Sequence, residues 1–159
     1  MSDMRRMEDG DHIPSPPAPA PARLHHVPPA ALTDDTAQSA SMRRREAISG
    51  KSVGSTQLWM GQTHMAPGTR SADHHHGATE TAIYVVSGHP RFVFLDGANE
   101  AVIKTGPGDY VFVPPWVPHR EENPALTEEA VVVIARSAQE AVVVNLPGLA
   151  GLGGQISGR

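Results

Sequence analysis

The sequence of 159 residues contains no cysteine, which excludes disulfides, thiolate catalysis, iron–sulfur clusters and cysteine-based zinc sites. Aromatic residues make up only 4% of the chain, so a folded core must be largely aliphatic. No apolar run approaches the ~20 residues that a membrane-spanning helix needs. The formal net charge is −4, which gives no electrostatic attraction to nucleic acids or anionic membranes. We therefore expect neither nucleic acid nor membrane as a partner.

The first part of the chain differs in composition from the rest. Seven of the fifteen prolines lie before residue 30, and Pro14–Pro21 contains only Pro, Ala and Ser. Proline has no backbone N–H donor and a fixed φ, so this stretch forms neither a helix nor a central strand. We predict an N-terminal arm over residues 1–42, either extended or disordered. The same terminus lacks the basic and then apolar segments of a secretory signal, so the expected location is cytoplasmic.

The remainder of the chain has the pattern of short strands separated by turns. Ala82–Val86 and Tyr110–Val113 are short, rich in β-branched and aromatic residues, and Asp96–Gly97 is a typical hairpin turn. Fifteen glycines and fifteen prolines favour many turns over long helices. Short strands at roughly ten-residue spacing are typical of an all-β sandwich or barrel. We predict a β-barrel domain over residues 43–147, followed by a Gly-rich tail over residues 148–159.

Nine histidines are many for this length, and three of them are adjacent at His74, His75 and His76. Alternate residues of a strand share a face, so His74 and His76 point one way and His75 the other. Glu80 has the same parity as His74, so its carboxylate can return to that face. Imidazole and carboxylate ligands together suit a first-row transition metal. His119, which stands alone in a later segment, is the candidate for a fourth ligand.

Simpler explanations for these histidines also exist. Three adjacent histidines fit a solvent-exposed polar tract or the remnant of a purification tag. A tag lies at a terminus, however, whereas this cluster lies in mid-chain between two strand-like segments. His119 considered alone equally fits an ordinary surface or core histidine.

The order of residues around these histidines resembles the two signature motifs of the cupin superfamily. In the first motif a glycine precedes His-x-His by five residues, and a glutamate and a second glycine follow. In the second motif glycine, proline, histidine and asparagine follow one another at set spacings. The matching residues are Gly68, His74, His76, Glu80 and Gly88 for the first motif, and Gly108, Pro114, His119 and Asn123 for the second.

This resemblance covers about residues 55–136 and implies a small single-domain cupin that contains both motifs. The implied fold is a double-stranded β-helix, also called a jelly-roll barrel, from which the Pro-rich arm extends. The implied cofactor is one divalent transition metal per chain, whether Fe, Mn, Ni, Co, Cu or Zn. The ligands implied by the resemblance are His74, His76, Glu80 and His119.

The sequence departs from the family pattern at two positions. Seven residues separate Glu80 from Gly88, where the family usually has six. One extra residue reverses the face of a strand, so either a bulge restores Glu80 or Thr81 takes the ligand position. Threonine is a poor ligand, and we therefore expect Glu80. Trp116 stands where the family commonly has glycine, so we expect a turn without the freedom of glycine for positive φ.

Four residues are candidates for roles around the metal. Tyr84 shares the parity of Glu80 and is expected to point inward. His64 is a candidate acid or base or a fifth ligand, with a hydrogen-bonded structural histidine as the alternative. Arg70 is a candidate clamp for a substrate carboxylate, with a solvated loop residue as the alternative. Backbone carbonyls or Asn123 are expected to hold the second ring nitrogen of each metal-bound histidine.

Similarity to cupins implies in many cases an enzyme that acts on a small molecule, although the fold does not choose the reaction. The first hypothesis is an Fe(II)-type dioxygenase acting on a small organic acid, keto or phenolic compound. The alternatives are a cupin isomerase or decarboxylase, or a non-catalytic cupin that binds or senses a small molecule. A homodimer is expected, because many small cupins are homodimers and a lone barrel leaves sheet edges to cover.

Overall fold

A computed structural model describes residues 22–139 and 142–150, so the Pro-rich start of the predicted arm and most of the predicted tail lie outside it. One short α-helix, α1 (Gly50–Val53), and one 3-10 helix (Pro29–Ala31) accompany the strands. No helix of this described part is long and apolar enough to cross a membrane. The strands are β1 (Met42–Ile48), β2 (Trp59–Met65), β3 (Thr69–Arg70), β4 (His74–His75), β5 (Thr81–Ser87), β6 (Arg91–Asp96), β7 (Asn99–Lys104), β8 (Tyr110–Val113), β9 (His119–Asn123), β10 (Ala130–Arg136) and β11 (Val144–Asn145).

Two antiparallel sheets make up the barrel. The first sheet has the strand order β1-β2-β10-β5-β8, and the second has the order β11-β4-β9-β6-β7, with β3 also paired to β9. Side chains from both sheets form one hydrophobic core, mostly aliphatic, in which Ile83, Val85 and Val132 of the first sheet cluster with Phe92 of the second. The predicted all-β jelly-roll fold is confirmed.

Alternation along the strands of the first sheet determines which residues face the core. In β5, Thr81, Ile83 and Val85 are buried, whereas Ala82 and Tyr84 between them are exposed. The strands β2 and β10 alternate in the same way. This is the period-two pattern expected when one face of a sheet packs on a core and the other meets water.

Glycine is required at two turns of the barrel. The predicted hairpin joins β6 to β7 through the pair Asp96 and Asn99, and Gly97 adopts φ 65°. Gly88 follows β5 with φ 75°, and a Cβ built there would lie 2.7 Å from the Cα of Ala130. Any larger residue at Gly88 would therefore push β5 away from β10.

The strand register fixes which residues share an end of the barrel. Thr81 at the start of β5 lies opposite Val113 at the end of β8, and Arg136 at the end of β10 lies opposite Thr81. Arg136 also lies opposite Trp59 at the start of β2. His119 begins β9 just after the turn that follows Val113. Arg136, Trp59 and His119 therefore lie at the same end of the barrel.

Candidate metal centre

Three histidines from two distant segments converge inside the barrel. His74 on β4 lies directly opposite His119 on β9, and their ring centroids are 4.5 Å apart. His76, which directly follows β4, has its ring centroid 4.9 Å from each of the other two. All three side chains are buried. The fold therefore places three imidazoles close enough to hold one ion.

The carboxylate beside these imidazoles belongs to Glu121. It lies two residues after His119 on β9, so the two side chains share the inward face of the strand. One ligand atom each from His74, His76, His119 and Glu121 lie within 4.8 Å of one another. The Oε1 atom of Glu121 is 3.9 Å from the Nε2 atom of His119. We call these four side chains the metal group.

Glu80 does not belong to the metal group, which corrects the expectation from the sequence. Its side chain is exposed at the start of β5, and Thr81 takes the buried position instead. The bulge in β5 lies between Val85 and Ser87, so it leaves the alternation from Thr81 to Val85 unchanged. The seven-residue spacing therefore turns Glu80 outward. Glu121 supplies the carboxylate that the family resemblance assigned to Glu80.

Backbone carbonyls orient the three imidazoles, as one of the two sequence-based alternatives predicted. Each Nδ1–H donates to a carbonyl, which in the neutral ring leaves Nε2 without a proton and available to a metal. The Nε2 atom of His119 is buried and has no hydrogen-bond partner among the described residues. Such an unsatisfied buried atom is costly, and a metal ion would satisfy it. The carbonyl partners are Ala72 for His74 at 2.7 Å, Val142 for His76 at 2.9 Å and Val117 for His119 at 2.9 Å.

Burial and charge set the protonation states that a metal requires. Burial lowers the pKa of His76 to about 4, and burial also lowers the pKa of His119. Burial acts to raise the pKa of Glu121, but attraction to the protonated forms of His74, His119 and His76 and to the cation of Arg44 outweighs it, and the pKa of Glu121 is lowered. At neutral pH the buried imidazoles of His76 and His119 are therefore neutral and Glu121 is ionised. These states suit a divalent transition metal, so the donor set agrees with the predicted cofactor.

Two of the predicted catalytic candidates lie outside the site. Tyr84 is on the outer face of β5, where it stacks on Tyr110 at 4.9 Å between ring centroids. His64 is on the outer face of β2, and its Nδ1 lies 3.0 Å from Oε1 of Glu129. The inward position predicted for Tyr84 is wrong. The prediction assumed that Tyr84 faces the same way as an inward Glu80, and Glu80 in fact points outward. His64 matches its alternative, a hydrogen-bonded structural histidine.

Asn123 holds the strands rather than the histidines. Its Nδ2 donates to the carbonyls of Met65 at 3.0 Å and Glu128 at 2.8 Å, which ties the end of β9 to the end of β2. Sequence reasoning missed Glu121, although its spacing of two from His119 carried the necessary parity. It also missed Arg44, an arginine of β1 that lies near the metal group.

The turn before His119 contains an unusual backbone conformation. Trp116 adopts φ 65°, so the expectation that this turn avoids positive φ is wrong. Its N–H donates to the carbonyl of Gly77 at 2.8 Å, and its indole lies 5.5 Å from the ring of His75. A non-glycine residue in this region costs on the order of 1–3 kcal/mol. The contacts with Gly77 and His75 hold the turn against the end of β4.

Two pockets border the metal group. The arginine pocket, of about 370 Å³, touches the group at His74, and the phenylalanine pocket, of about 290 Å³, touches it at His119. The predicted candidate Arg70 lies in the first of these. The arginine pocket is defined by Gln38, Arg44, Arg70, Ser71, His74 and Asn145, and the phenylalanine pocket by Phe92, Phe94, Val111, Phe112, Val117 and His119.

One family model and several solved structures match parts of this chain. Residues 61–135 match the family model of the cupin domain, whereas no curated protein sequence matches the chain. The S161A mutant of Bacillus subtilis oxalate decarboxylase superposes with a TM-score of 0.60 and 21% identity, over 70% of this chain and 30% of that one. Another structure of that enzyme, from work on its Mn(II) centres, gives a TM-score of 0.59 and 22% identity, over 69% and 29% of the two chains.

A recombinant oxalate oxidase in complex with glycolate superposes with a TM-score of 0.58 and 19% identity, over 70% of this chain and 58% of that one. This chain therefore spans less than a third of the decarboxylase and less than two thirds of the oxidase. At such identities the similarity to solved structures establishes the fold and leaves the reaction open. The domain formed by residues 61–135 belongs to the cupin superfamily.

Proposed function

We propose that this protein is a metal-dependent enzyme that acts on a small organic acid, keto or phenolic compound. One observation carries the proposal: a buried carboxylate and three imidazoles converge, and His119 Nε2 among them has no partner within the described residues. Removing such groups from water is costly unless they are paired or bind a metal. Two pockets that touch the group provide space for a ligand of small-molecule size.

The residues of the metal group have separate tasks in this proposal. The imidazoles of His74, His76 and His119 would hold the metal, and Glu121 would offset part of its charge. When bound, such a metal supplies Lewis acidity and, if it is redox-active, access to oxygen chemistry. The apolar walls of the phenylalanine pocket would exclude water on the His119 side. The Nδ1–H donors keep the imidazole rings in place during the reaction.

An Fe(II)-type dioxygenase is the first form of the proposal. A metal-dependent decarboxylase is the second, and the observation that favours it is the structural similarity to an oxalate decarboxylase. A cupin that only binds or senses its ligand is the non-catalytic alternative. The three differ in the gases that they exchange. Only the dioxygenase takes up O₂ in proportion to substrate, and only the decarboxylase releases CO₂ without net O₂ uptake. The non-catalytic cupin does neither.

The test begins with protein purified without a histidine tag, whose metal is identified by elemental analysis. O₂ uptake and CO₂ release are then followed with small organic acids, keto acids and phenolic compounds. We expect one divalent metal per chain and turnover that stops after chelation and returns when the same metal is restored. Saturable binding without turnover would favour the sensing alternative, and protein without stoichiometric metal would contradict the proposal.

A further inference from the structure

The arginine pocket is built largely by segments outside the residues that match the cupin model. Arg44 lies on β1, and Asn145 lies on β11, which pairs with β4 beside the metal group. The described lining includes Arg44 and Arg70 but no aspartate or glutamate. A pocket with two cationic side chains and no acidic one attracts anions. Because its wall includes His74, an anion bound there would lie beside the metal group.

Arg44 differs from the arginine that precedes it. Arg43 is exposed, and its NH2 lies 2.6 Å from Oδ2 of Asp34. This ion pair already neutralises the charge of Arg43. Arg44 is half-buried, and its guanidinium NH1 donates to the carbonyl of Ala37 and to Oγ of Ser39, both at 3.2 Å. These bonds fix one side of the guanidinium. Within the described residues no carboxylate pairs with Arg44 or with Arg70, so their charges remain available to a ligand.

The interior around the pocket contains two carboxylates, Glu46 and Glu121, and a third arginine, Arg136. Arg136 is 4% exposed, its guanidinium lies 4.1 Å from the centre of the Trp59 ring, and its NH2 has no hydrogen-bond partner among the described residues. Glu46 is buried nearby but already accepts hydrogen bonds from Trp59 and Ser49. A divalent metal beside Glu121 would add further positive charge. An anionic ligand would therefore balance charges that the barrel leaves uncompensated.

We propose that the arginine pocket binds the carboxylate of the substrate, with Arg44 and Arg70 as its hydrogen-bond donors. The proposal rests on the proposed function, because it places the carboxylate beside the metal group at His74. A guanidinium group binds a carboxylate through paired N–H donors, one to each oxygen. A neutral amide of the same shape has only one such oxygen and no charge, so it cannot accept the same pair of bonds. Among organic acid, keto and phenolic compounds, the proposal selects those that carry a carboxylate.

The test is calorimetric titration of full-length, tag-free protein, both with its metal and after chelation. The probes are acetate, oxalate and benzoate, each compared with its amide, and inorganic phosphate. We expect at least one carboxylate to bind about tenfold or more tightly than its amide in both forms of the protein. Arg44→Met should weaken that carboxylate about 10- to 100-fold and leave the amide unchanged. Arg44→Lys, which keeps the charge but loses the paired donors, should fall between.

Matched variants protect the test against misfolding. Arg43→Met makes the same change one residue away, outside the arginine pocket, and should bind as the wild type does. Arg70→Met removes the second donor at an exposed position, so it tests the same pocket without disturbing the core. The proposal is overturned if no carboxylate is preferred over its amide, if neither Arg44→Met nor Arg70→Met weakens binding, or if phosphate binds as tightly as the best carboxylate.

The outcomes separate this proposal from the proposed function. Protein that lacks metal but keeps an Arg44-dependent preference for carboxylates would contradict the proposed function and support the pocket. Protein that holds metal and turns over substrate, but whose carboxylate binding ignores Arg44 and Arg70, would support the proposed function and refute the pocket.

Discussion

The arginine pocket and the phenylalanine pocket touch the same metal group through different histidines, yet their chemistry is opposite. Arg44 and Arg70 make the first pocket cationic at His74, whereas Phe92 and Phe94 make the second apolar at His119. The difference indicates that one pocket suits an anionic group of a ligand and the other suits an apolar group. The metal group suits many reactions, and under the proposed function the pockets on either side would determine which compounds reach it.

The two pockets also come from different parts of the chain. The phenylalanine pocket is built from β6, β7, β8 and the turn before β9, all within residues 61–135. The arginine pocket draws on β1, the loop before it and the segment around β11, which lie outside those residues. A substrate that spans both would carry a carboxylate at one end and an apolar body at the other. Substitutions in the metal group affect the element that the two pockets share, whereas a substitution in one lining changes that pocket alone.

The largest effect is expected from removing the shared element. His119→Ala deletes a proposed ligand whose Nε2 is buried and unpaired among the described residues, so metal affinity should fall by about 100-fold or more and the purified protein should hold little metal. Elemental analysis of tag-free protein measures this loss. The matched control is His75→Asn, because His75 is buried beside the group but is not a member of it, and its Nδ1 accepts from the N–H of Gly77. Full metal in His119→Ala would contradict the assignment.

Acid should act next most strongly, through the same shared element. His76 has a pKa of about 4 in the folded chain, below the value of about 6.5 in an unfolded chain. As the pH falls from about 6.5 to 4, His76 becomes protonated in the unfolded state but stays neutral in the folded state. The contribution of His76 to the free energy of unfolding of chelated protein should therefore fall by about 3 kcal/mol over this window and level off below it.

Urea unfolding in the presence of EDTA, at several pH values from 7 to about 4, measures this loss. The lowered pKa of Glu121 adds a loss of the same sign at lower pH. His76→Gln should flatten the slope between pH 6.5 and 4. An unchanged slope in that variant would show that His76 does not carry the effect.

An intermediate effect is expected from the carboxylate of the group. Glu121→Gln keeps the shape but removes the charge, so metal affinity should fall about 10- to 100-fold. Competition with a chelator of known affinity measures it. Glu80→Gln is the matched control, since the exposed Glu80 should not contribute. Metal loss in Glu80→Gln together with normal affinity in Glu121→Gln would reverse the assignment.

The smallest effect is expected from changing one pocket alone. Val117→Phe should fill part of the phenylalanine pocket and weaken benzoate binding about tenfold, while acetate binding stays the same. Val102→Phe makes the same change on β7 at a position that does not line the pocket. Calorimetric titration compares the variants. Equal losses for acetate and benzoate would mean that the two pockets are not independent.

Local pattern in the sequence was sufficient for most of the barrel. Tyr110–Val113 was predicted as a strand and is β8, and Asp96–Gly97 forms the predicted hairpin turn. The strand β1 was harder to predict, because Arg43, Arg44 and Arg45 are consecutive and give no alternation of apolar residues. It forms a strand by pairing along β2, the next strand of the chain, and its own residue pattern does not indicate this pairing.

The site was predictable as far as parity and spacing allow. The histidine ligands followed from the alternation of His74 and His76 and from the second motif at His119. Glu80 failed because the bulge in β5 lies between Val85 and Ser87, and a sequence alone does not locate a bulge. Arg44 was missed because its pocket forms only when β1 and β11 are both in place. The homodimer and the cytoplasmic location stay predictions.

The assignment of His74, His76, His119 and Glu121 as the ligands of one metal ion can be tested by diffraction. The most direct measurement is a crystal structure of tag-free protein with anomalous diffraction collected at the absorption edge of the metal found by elemental analysis. We expect a single anomalous peak inside the barrel, about 2.0–2.2 Å from the three Nε2 atoms and from a carboxylate oxygen of Glu121. A peak bound by Glu80, or the absence of any peak among these side chains in metal-replete protein, would contradict it.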